Sequence, residues 1–213
     1  AGGAGGAGLM YRRFFKRLLD IVVSLVALPL VLLVIAVLAP VIYFEDKGPV
    51  FYNAPRVGKD GRPFVMFKLR SMKVNAPDLT MADGSTYNGS DDPRMTKVGA
   101  FMRRTSLDEF PQFLNVLGGS MSVIGPRPDL ERETLLYEGN EREKLLVKPG
   151  ITGYAAAYGR NSLPWHDRLA MDVFYVHNVS FAFDVKIFFH TIKTVFAQEG
   201  VYVQGEEGEN GAG

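Results

Sequence analysis

The sequence predicts a helix-rich α+β protein with a membrane-embedded segment, and three observations predict it. An almost unbroken apolar run covers residues 21–44. Just after it, two short stretches rich in aromatic and β-branched residues flank a glycine-containing turn. Toward the C-terminus, apolar residues recur at helical spacing.

The chain of 213 residues is long enough for one domain with an appendage. Its net charge of +1 offers no bulk field to attract nucleic acid. The absence of cysteine excludes disulfides, thiol catalysis and zinc–thiolate sites, and is compatible with a reducing compartment. The histidines are His166, His177 and His190, too few for a His-rich metal site. AGGAGGAG at the start and GEEGENGAG at the end carry no core-forming pattern. Residues 1–10 and 204–213 are therefore expected to be flexible or appended tails.

The apolar run, IVVSLVALPLVLLVIAVLAPVIYF, would be about 36 Å long as a straight helix, enough to cross a hydrocarbon layer of about 30 Å. It is apolar on every side, unlike a buried core helix. Two features argue against simple crossing. Pro29 removes a backbone donor inside the run and should kink or break it, with the Ser24 hydroxyl close to the carbonyl it frees. Pro40 allows a second bend. The flanks are the other feature. Arg12, Arg13, Lys16 and Arg17 precede the run, and Lys47, Arg56, Lys59, Arg62, Lys68 and Arg70 follow it. Positive residues favour the cytoplasmic side. A re-entrant helix-break-helix keeps both flanks there, whereas a spanning helix puts one outside. On the residues alone both readings stand, with the re-entrant one ahead.

Beyond the run, VFYN at 50–53 and FVMFKLRSM at 64–72 read as strands around RVGKDGRP, a β-hairpin with a longer loop. Residues 75–95 are rich in Asp, Asn, Gly and Pro and read as loop. Helical patterns are expected near Val98, over 109–117, around 130–146 and over 165–177. GGSMSVIGPRPD and KPGITGYAAAYGRN read as connections. A last helix over 183–198 carries Phe181, Val185, Phe188, Ile192 and Val195 in a stripe, either facing the core or lying in the lipid interface.

TSLDEFPQ at 105–112 sets two carboxylates side by side. Ser106 and Glu109 fit a capping box, although Pro111 would then lie too deep in the helix. Asp108 as N-cap would put Pro111 harmlessly in the first turn. Capping is thus the ordinary reading of the pair. The chemical reading is that one carboxylate attacks as a nucleophile while its neighbour, turned about 100° away, holds Mg²⁺. Cations that fit phosphate oxygens are Arg127 between two prolines in GPRPD, Arg160 in YGRN, Arg103, Lys68 and Arg70. Singly each reads as a surface charge; only their coincidence with the acidic pair lifts them.

YRRFFKRLLDI, GPVFYNAPRVG, FVMFKLRSM, RRTSLDEFPQFLNVLGGSMSVIGPRPD, VKPGITGYAAAYGRN and the region of MDVFYVHN occur here in order. As a set they resemble the small monotopic phosphoglycosyl transferases, a bacterial sugar transferase family. The resemblance implies a monotopic membrane protein with a re-entrant helix over 11–46. It also implies interfacial amphipathic helices, a small β-hairpin and a catalytic domain over 47–203 on the cytoplasmic face of the inner membrane. It implies that Asp108 attacks the β-phosphorus of a UDP-sugar, expelling UMP and forming an aspartyl phosphosugar. Polyprenol phosphate, such as undecaprenyl phosphate, would then take the sugar phosphate. Glu109 corresponds to the Mg²⁺ ligand, with Asp108 as a possible second. Lys68, Arg103, Arg127, Arg160 and Asp172 correspond to phosphate- or nucleotide-binding positions. Downstream glycosyltransferases are possible partners. The competing expectation is a catalytically silent, membrane-anchored scaffold that binds nucleotide sugars or those enzymes.

Overall fold

A computed structural model describes residues 8–81, 83–87, 89, 92–159 and 163–197. The expected tails therefore fall largely outside the described residues. Tyr11–Phe15 form a π-turn that leads into α1, Lys16–Asp46. The helix ends at Lys47, which adopts a left-handed conformation at φ 59° and returns its N–H to the Tyr43 carbonyl. Pro29 and Pro40 both lie inside α1 without ending it. Each proline removes one N–H, and the intact turns on either side hold the helix together. The Ser24 hydroxyl is buried and meets no hydrogen-bond partner, so it does not fill the gap expected of it.

Both ends of α1 pack on the same body. Tyr11 and Val23 join a core with Met66, Val116, Met121, Val123, Tyr175 and Ile187. Val34, Ile35, Leu38 and Ile42 pack against Leu69, Met102 and Leu107. Between them Leu25, Val26, Leu30, Leu32, Leu33 and Val37 face outward. The basic flank is absorbed by local chemistry. Arg12 donates to the carbonyls of His177 and Val179, and Arg17 to those of Val116 and Leu117. These carbonyls lie at helix C-termini, where backbone acceptors are orphaned and the dipole favours a cation.

The hairpin exists, but its first strand lies later than expected. β1, Ala54–Val57, pairs antiparallel with β2, Pro63–Met66, with Ala54 opposite Met66. The expected VFYN strand survives only as a bridge from Phe51 to Leu69. A two-stranded sheet is all edge, so Pro55 and Pro63 are tolerated where a central strand would reject them. The described part of the 75–95 segment is loop, fastened by a buried Asp92–Arg94 ion pair.

α2, Lys97–Thr105, is capped by the Thr96 hydroxyl, which accepts from the Gly99 N–H at 2.9 Å. A left-handed Ser106, φ 56°, then turns the chain into a 3₁₀ segment, Leu107–Glu109, followed by α3, Gln112–Gly118. Two short strands were not legible: β3, Ser122–Ile124, runs parallel to β4, Gly150–Thr152. Their backbones meet so closely that a Cβ at Gly150 would lie 2.1 Å from the Gly125 nitrogen. The helix expected over 130–146 is instead α4, Glu131–Thr134, and a 3₁₀ segment, Glu141–Leu146. Gly139, at φ 49°, separates them in a conformation that no helix continues through.

KPGITGYAAAYGRN, read as a connection, contains β4 and the short α5, Tyr154–Tyr158. α6, Trp165–Asn178, and α7, Phe181–Ala197, complete the order. The stripe on α7 does not face the core. Asp184, Ile187 and Thr194 are buried, whereas Phe181, Phe188, Phe189 and Ile192 are exposed. That exposed face borders α1 across an apolar groove of about 170 Å³ lined by Leu19, Val23, Phe181, Phe188 and Phe189.

Candidate active site

The acidic pair caps nothing. α3 begins at Gln112 with Pro111 as N-cap and no side-chain cap, and the left-handed Ser106 makes no capping bond. Asp108 and Glu109 instead sit in the tight 3₁₀ turn before α3. The Asp108 carbonyl accepts from the Leu69 N–H at 2.9 Å, which ties the turn to the segment carrying Lys68. A turn fixed by its backbone leaves both carboxylates available for other work.

Asp108 is 2% exposed, and the Lys68 ammonium lies 2.8 Å from its Oδ2. That contact is an ion pair without hydrogen-bond alignment, so Oδ2 is a buried oxygen that no donor satisfies. Lys68 also lies 3.6 Å from Glu109 Oε1. Arg127 Nη2 donates to that same oxygen at 2.9 Å. Burial alone would push the Glu109 carboxyl up. The two nearby cations, Arg127 and then Lys68, outweigh it and hold Glu109 down at about 2. Glu109 in turn holds Arg127 well above the ordinary arginine value. The pair is thus an anionic centre with two cations already on it.

Arg127 opens onto a second buried charge group. Asp129, two residues on, accepts from Lys144 at 2.7 Å and from the Tyr137 hydroxyl at 2.5 Å. Lys144 also lies 3.0 Å from Asp172. Burial drives the Asp172 carboxyl up to about 6 against the pull of Lys144, and its Oδ1 has no hydrogen-bond partner. Arg56 and Arg168 stand close enough to Arg127 for its charge to disfavour theirs. A shallow pocket between β1 and the 126–129 segment is lined by Val57, Gly58, Arg127, Asp129 and Lys144.

The structure therefore gathers Asp108, Glu109, Lys68 and Arg127, with Asp172 reached through Lys144 and Asp129. Arg103 turns to Ser71, donating from Nε at 3.3 Å, and none of its described bonds reaches the acidic pair. Arg160 lies outside the described residues. Arg70, grouped with the phosphate-binding cations on sequence, is buried and grips both oxygens of Asp46 at 2.6 Å, fastening the end of α1. Sequence reasoning missed Lys144, Asp129 and Tyr137. Asp129 carried a signal, standing two residues beyond Arg127 in GPRPD, and Asp172 follows Arg168 by one helical turn. Lys144 carried none, because only the fold buries it.

For a divalent cation the acceptors are Asp108 Oδ2 and Glu109. Among the described residues no group of three or more acidic or histidine side chains forms a cage. Mg²⁺ does not require one, because it keeps several waters and takes one or two carboxylates together with substrate phosphates.

Residues 11–198 match the bacterial sugar transferase family. The chain belongs to that family. Among the chain's relatives, the UDP-glucose:undecaprenyl-phosphate glucose-1-phosphate transferase of Escherichia coli K12 is 42% identical over 200 residues. That alignment covers 89% of this chain and 42% of the relative. The undecaprenyl-phosphate galactose phosphotransferase of Salmonella typhimurium is 36% identical, again across 89% of this chain and 42% of its own length. An uncharacterized sugar transferase of Bacillus subtilis, EpsL, is 38% identical with 87% of this chain and 89% of its own covered. The chain thus spans about two fifths of some relatives and nearly all of another.

Proposed function

We propose that this sugar transferase moves a sugar phosphate from a UDP-sugar to a polyprenyl phosphate at the cytoplasmic face of a membrane, using Asp108 as nucleophile. The observation that carries the reading is Asp108 Oδ2, a buried carboxylate oxygen beside Lys68 with no hydrogen bond to hold it. Two relatives support the acceptor, since both are named for undecaprenyl phosphate. Their different sugars leave the donor's sugar open.

In the first step Oδ2 attacks the β-phosphorus. A new P–O bond forms to Asp108, the bond to the bridging oxygen breaks, and UMP leaves with the electron pair. In the second step a phosphate oxygen of the lipid attacks the same phosphorus and the carboxylate leaves, giving a polyprenyl-diphosphate-sugar. Splitting the transfer means that a water-soluble donor and a membrane-bound acceptor never have to be held together. Lys68 and Arg127 offset the charge of phosphate brought against two carboxylates. Access to the nearly buried Asp108 requires Lys68 to move aside, a small demand on a flexible four-carbon side chain. Glu109, with Asp108, would hold Mg²⁺. The ion, when bound, supplies charge neutralisation at the diphosphate.

The monotopic arrangement belongs to the same proposal. α1 is about 46 Å long, yet charged groups at both ends fasten to one body. Near its start Asp20 accepts from Ser122 Oγ and the Val123 N–H. At its end Asp46 holds Arg70 and Glu45 accepts from the Lys97 N–H. A crossing helix would force that body through hydrocarbon or tear one end away from it. A helix that enters the bilayer without crossing it keeps both ends at the headgroups, with the exposed phenylalanines of α7 beside it in the interface.

The test is intact mass after incubation with Mg²⁺ and a panel of UDP-sugars in the absence of lipid. The expected result is an adduct of one sugar phosphate with release of UMP, both lost in Asp108→Asn. No adduct and no UMP across the panel would favour a silent scaffold.

A further inference from the structure

We propose that Arg56 is a second phosphate-binding arginine, which with Arg127 brackets the diphosphate of the nucleotide-sugar donor. The inference rests on the transferase reading above and concerns a residue on the β-hairpin, an element without a role so far.

Three observations carry it. The hairpin is docked against the Arg127 segment, because the Val57 N–H donates to the Asp129 carbonyl at 3.0 Å. Arg56 therefore stands one residue from a backbone joint that lies two residues from Arg127. Next, Arg56 Nε is buried and meets no hydrogen-bond partner. A guanidinium donor lost to water and left unmet is costly, and a ligand oxygen would satisfy it.

The carboxylates near Arg56 are also already engaged. Glu133 accepts from the Thr86 hydroxyl and from the Leu130 N–H. Asp129 accepts from Lys144 and Tyr137. Among the described residues no carboxylate forms an ion pair with Arg56. Burial first, and the Arg127 cation second, disfavour its charged form. Two guanidiniums held near each other repel, and Asp129, the carboxylate near both, is already engaged by Lys144 and Tyr137. An anion with oxygens on two phosphorus atoms relieves that repulsion and matches two planar forks. Arg127 also touches Glu109, so a diphosphate placed there lies beside the Asp108 turn.

The experiment uses the full chain in detergent or lipid nanodiscs and UDP as the probe. Binding is read as the UDP-induced rise in Tm and by calorimetric titration. Wild type is expected to bind UDP and to be stabilised by it. Arg56→Gln is expected to weaken UDP about 10- to 100-fold, the loss expected of a charge-assisted phosphate contact. Arg56→Lys keeps the charge but not the fork and is expected to recover only part of the affinity. A merely structural Arg56 would lower the ligand-free Tm of Arg56→Gln while leaving the UDP-induced rise intact, and that result overturns the inference. UDP affinity within twofold of wild type in Arg56→Gln overturns it as well. If Arg56→Gln does not fold, Arg56→Lys decides: full wild-type affinity counts against a fork on phosphate. A wild type that neither binds UDP nor releases UMP sinks the transferase reading and this inference together. Wild-type turnover with an unaffected Arg56→Gln sinks only the inference.

Discussion

The Lys68 ammonium stands 2.8 Å from Asp108 Oδ2 without satisfying that oxygen by a hydrogen bond. The lysine brings an opposite charge to a nearly buried carboxylate. A structural carboxylate looks different here. Asp46 is gripped at both oxygens by Arg70, and Asp184 accepts from Tyr11, Lys16 and Tyr175. The contrast is what the proposal of Asp108 as nucleophile rests on.

Replacing Asp108 with Asn is expected to lower UMP release by at least about 10³-fold, as expected when a nucleophile is removed. Its backbone carbonyl still meets the Leu69 N–H, so the turn and the Tm should persist. UMP release measured beside thermal unfolding checks both halves.

Lys68→Met removes one cation from both carboxylates and leaves Arg127 on Glu109. The expected fall in kcat/KM is about 10²- to 10³-fold, the range for one electrostatic stabiliser of a reaction centre. Because Lys68 helps hold the Glu109 carboxyl down, that group should also titrate at higher pH in the variant, which carboxylate NMR can follow.

Asp172 makes stability depend on pH in the opposite sense from a salt-bridged surface acid. Its folded-state value, raised to about 6 from 3.8, means that the native state binds the proton more tightly than the unfolded chain. The contribution is fully present below the unfolded value and is lost as pH rises to the folded one. Across roughly pH 4 to 6 it should decline by up to about 3 kcal/mol, and Asp172→Asn should lack that slope. Denaturant titrations of both proteins at several pH values read it directly.

Asp184→Ala leaves Lys16 without its carboxylate and removes the acceptor of two tyrosine hydroxyls. Removing one partner of a buried charge network costs about 3–5 kcal/mol, so a marked fall in Tm and loosening of residues 11–20 are expected. Hydrogen exchange over that segment locates the effect.

Topology is tested by labelling, since the chain has no native cysteine. Cysteines placed at Arg13 and Lys47 should both react only from the cytoplasmic side. Reaction from opposite sides would mean that α1 crosses the bilayer.

Helices were legible where one face repeats over several turns, so α6 and α7 lie close to their expected bounds, while α1 was legible as an apolar run but continues through the break expected at Pro29. The short β3 and β4 were not, because three residues without alternation carry no strand signal and their pairing joins segments about 28 positions apart. The single helix expected over 130–146 failed at Gly139, whose positive φ no helix continues through.

Taken alone, the sequence determined the apolar anchor, the hairpin, the adjacent Asp108 and Glu109, and Arg127 stiffened by its prolines. These follow from local composition, which fixes backbone preference and side-chain chemistry at each position. Only the tertiary structure decided that the acidic pair caps nothing, that Arg70 is a clamp, and that Lys68, Arg127 and Lys144 converge from separate segments. Charge pairing depends on distance and desolvation, and both arise only when distant parts of the chain are packed together.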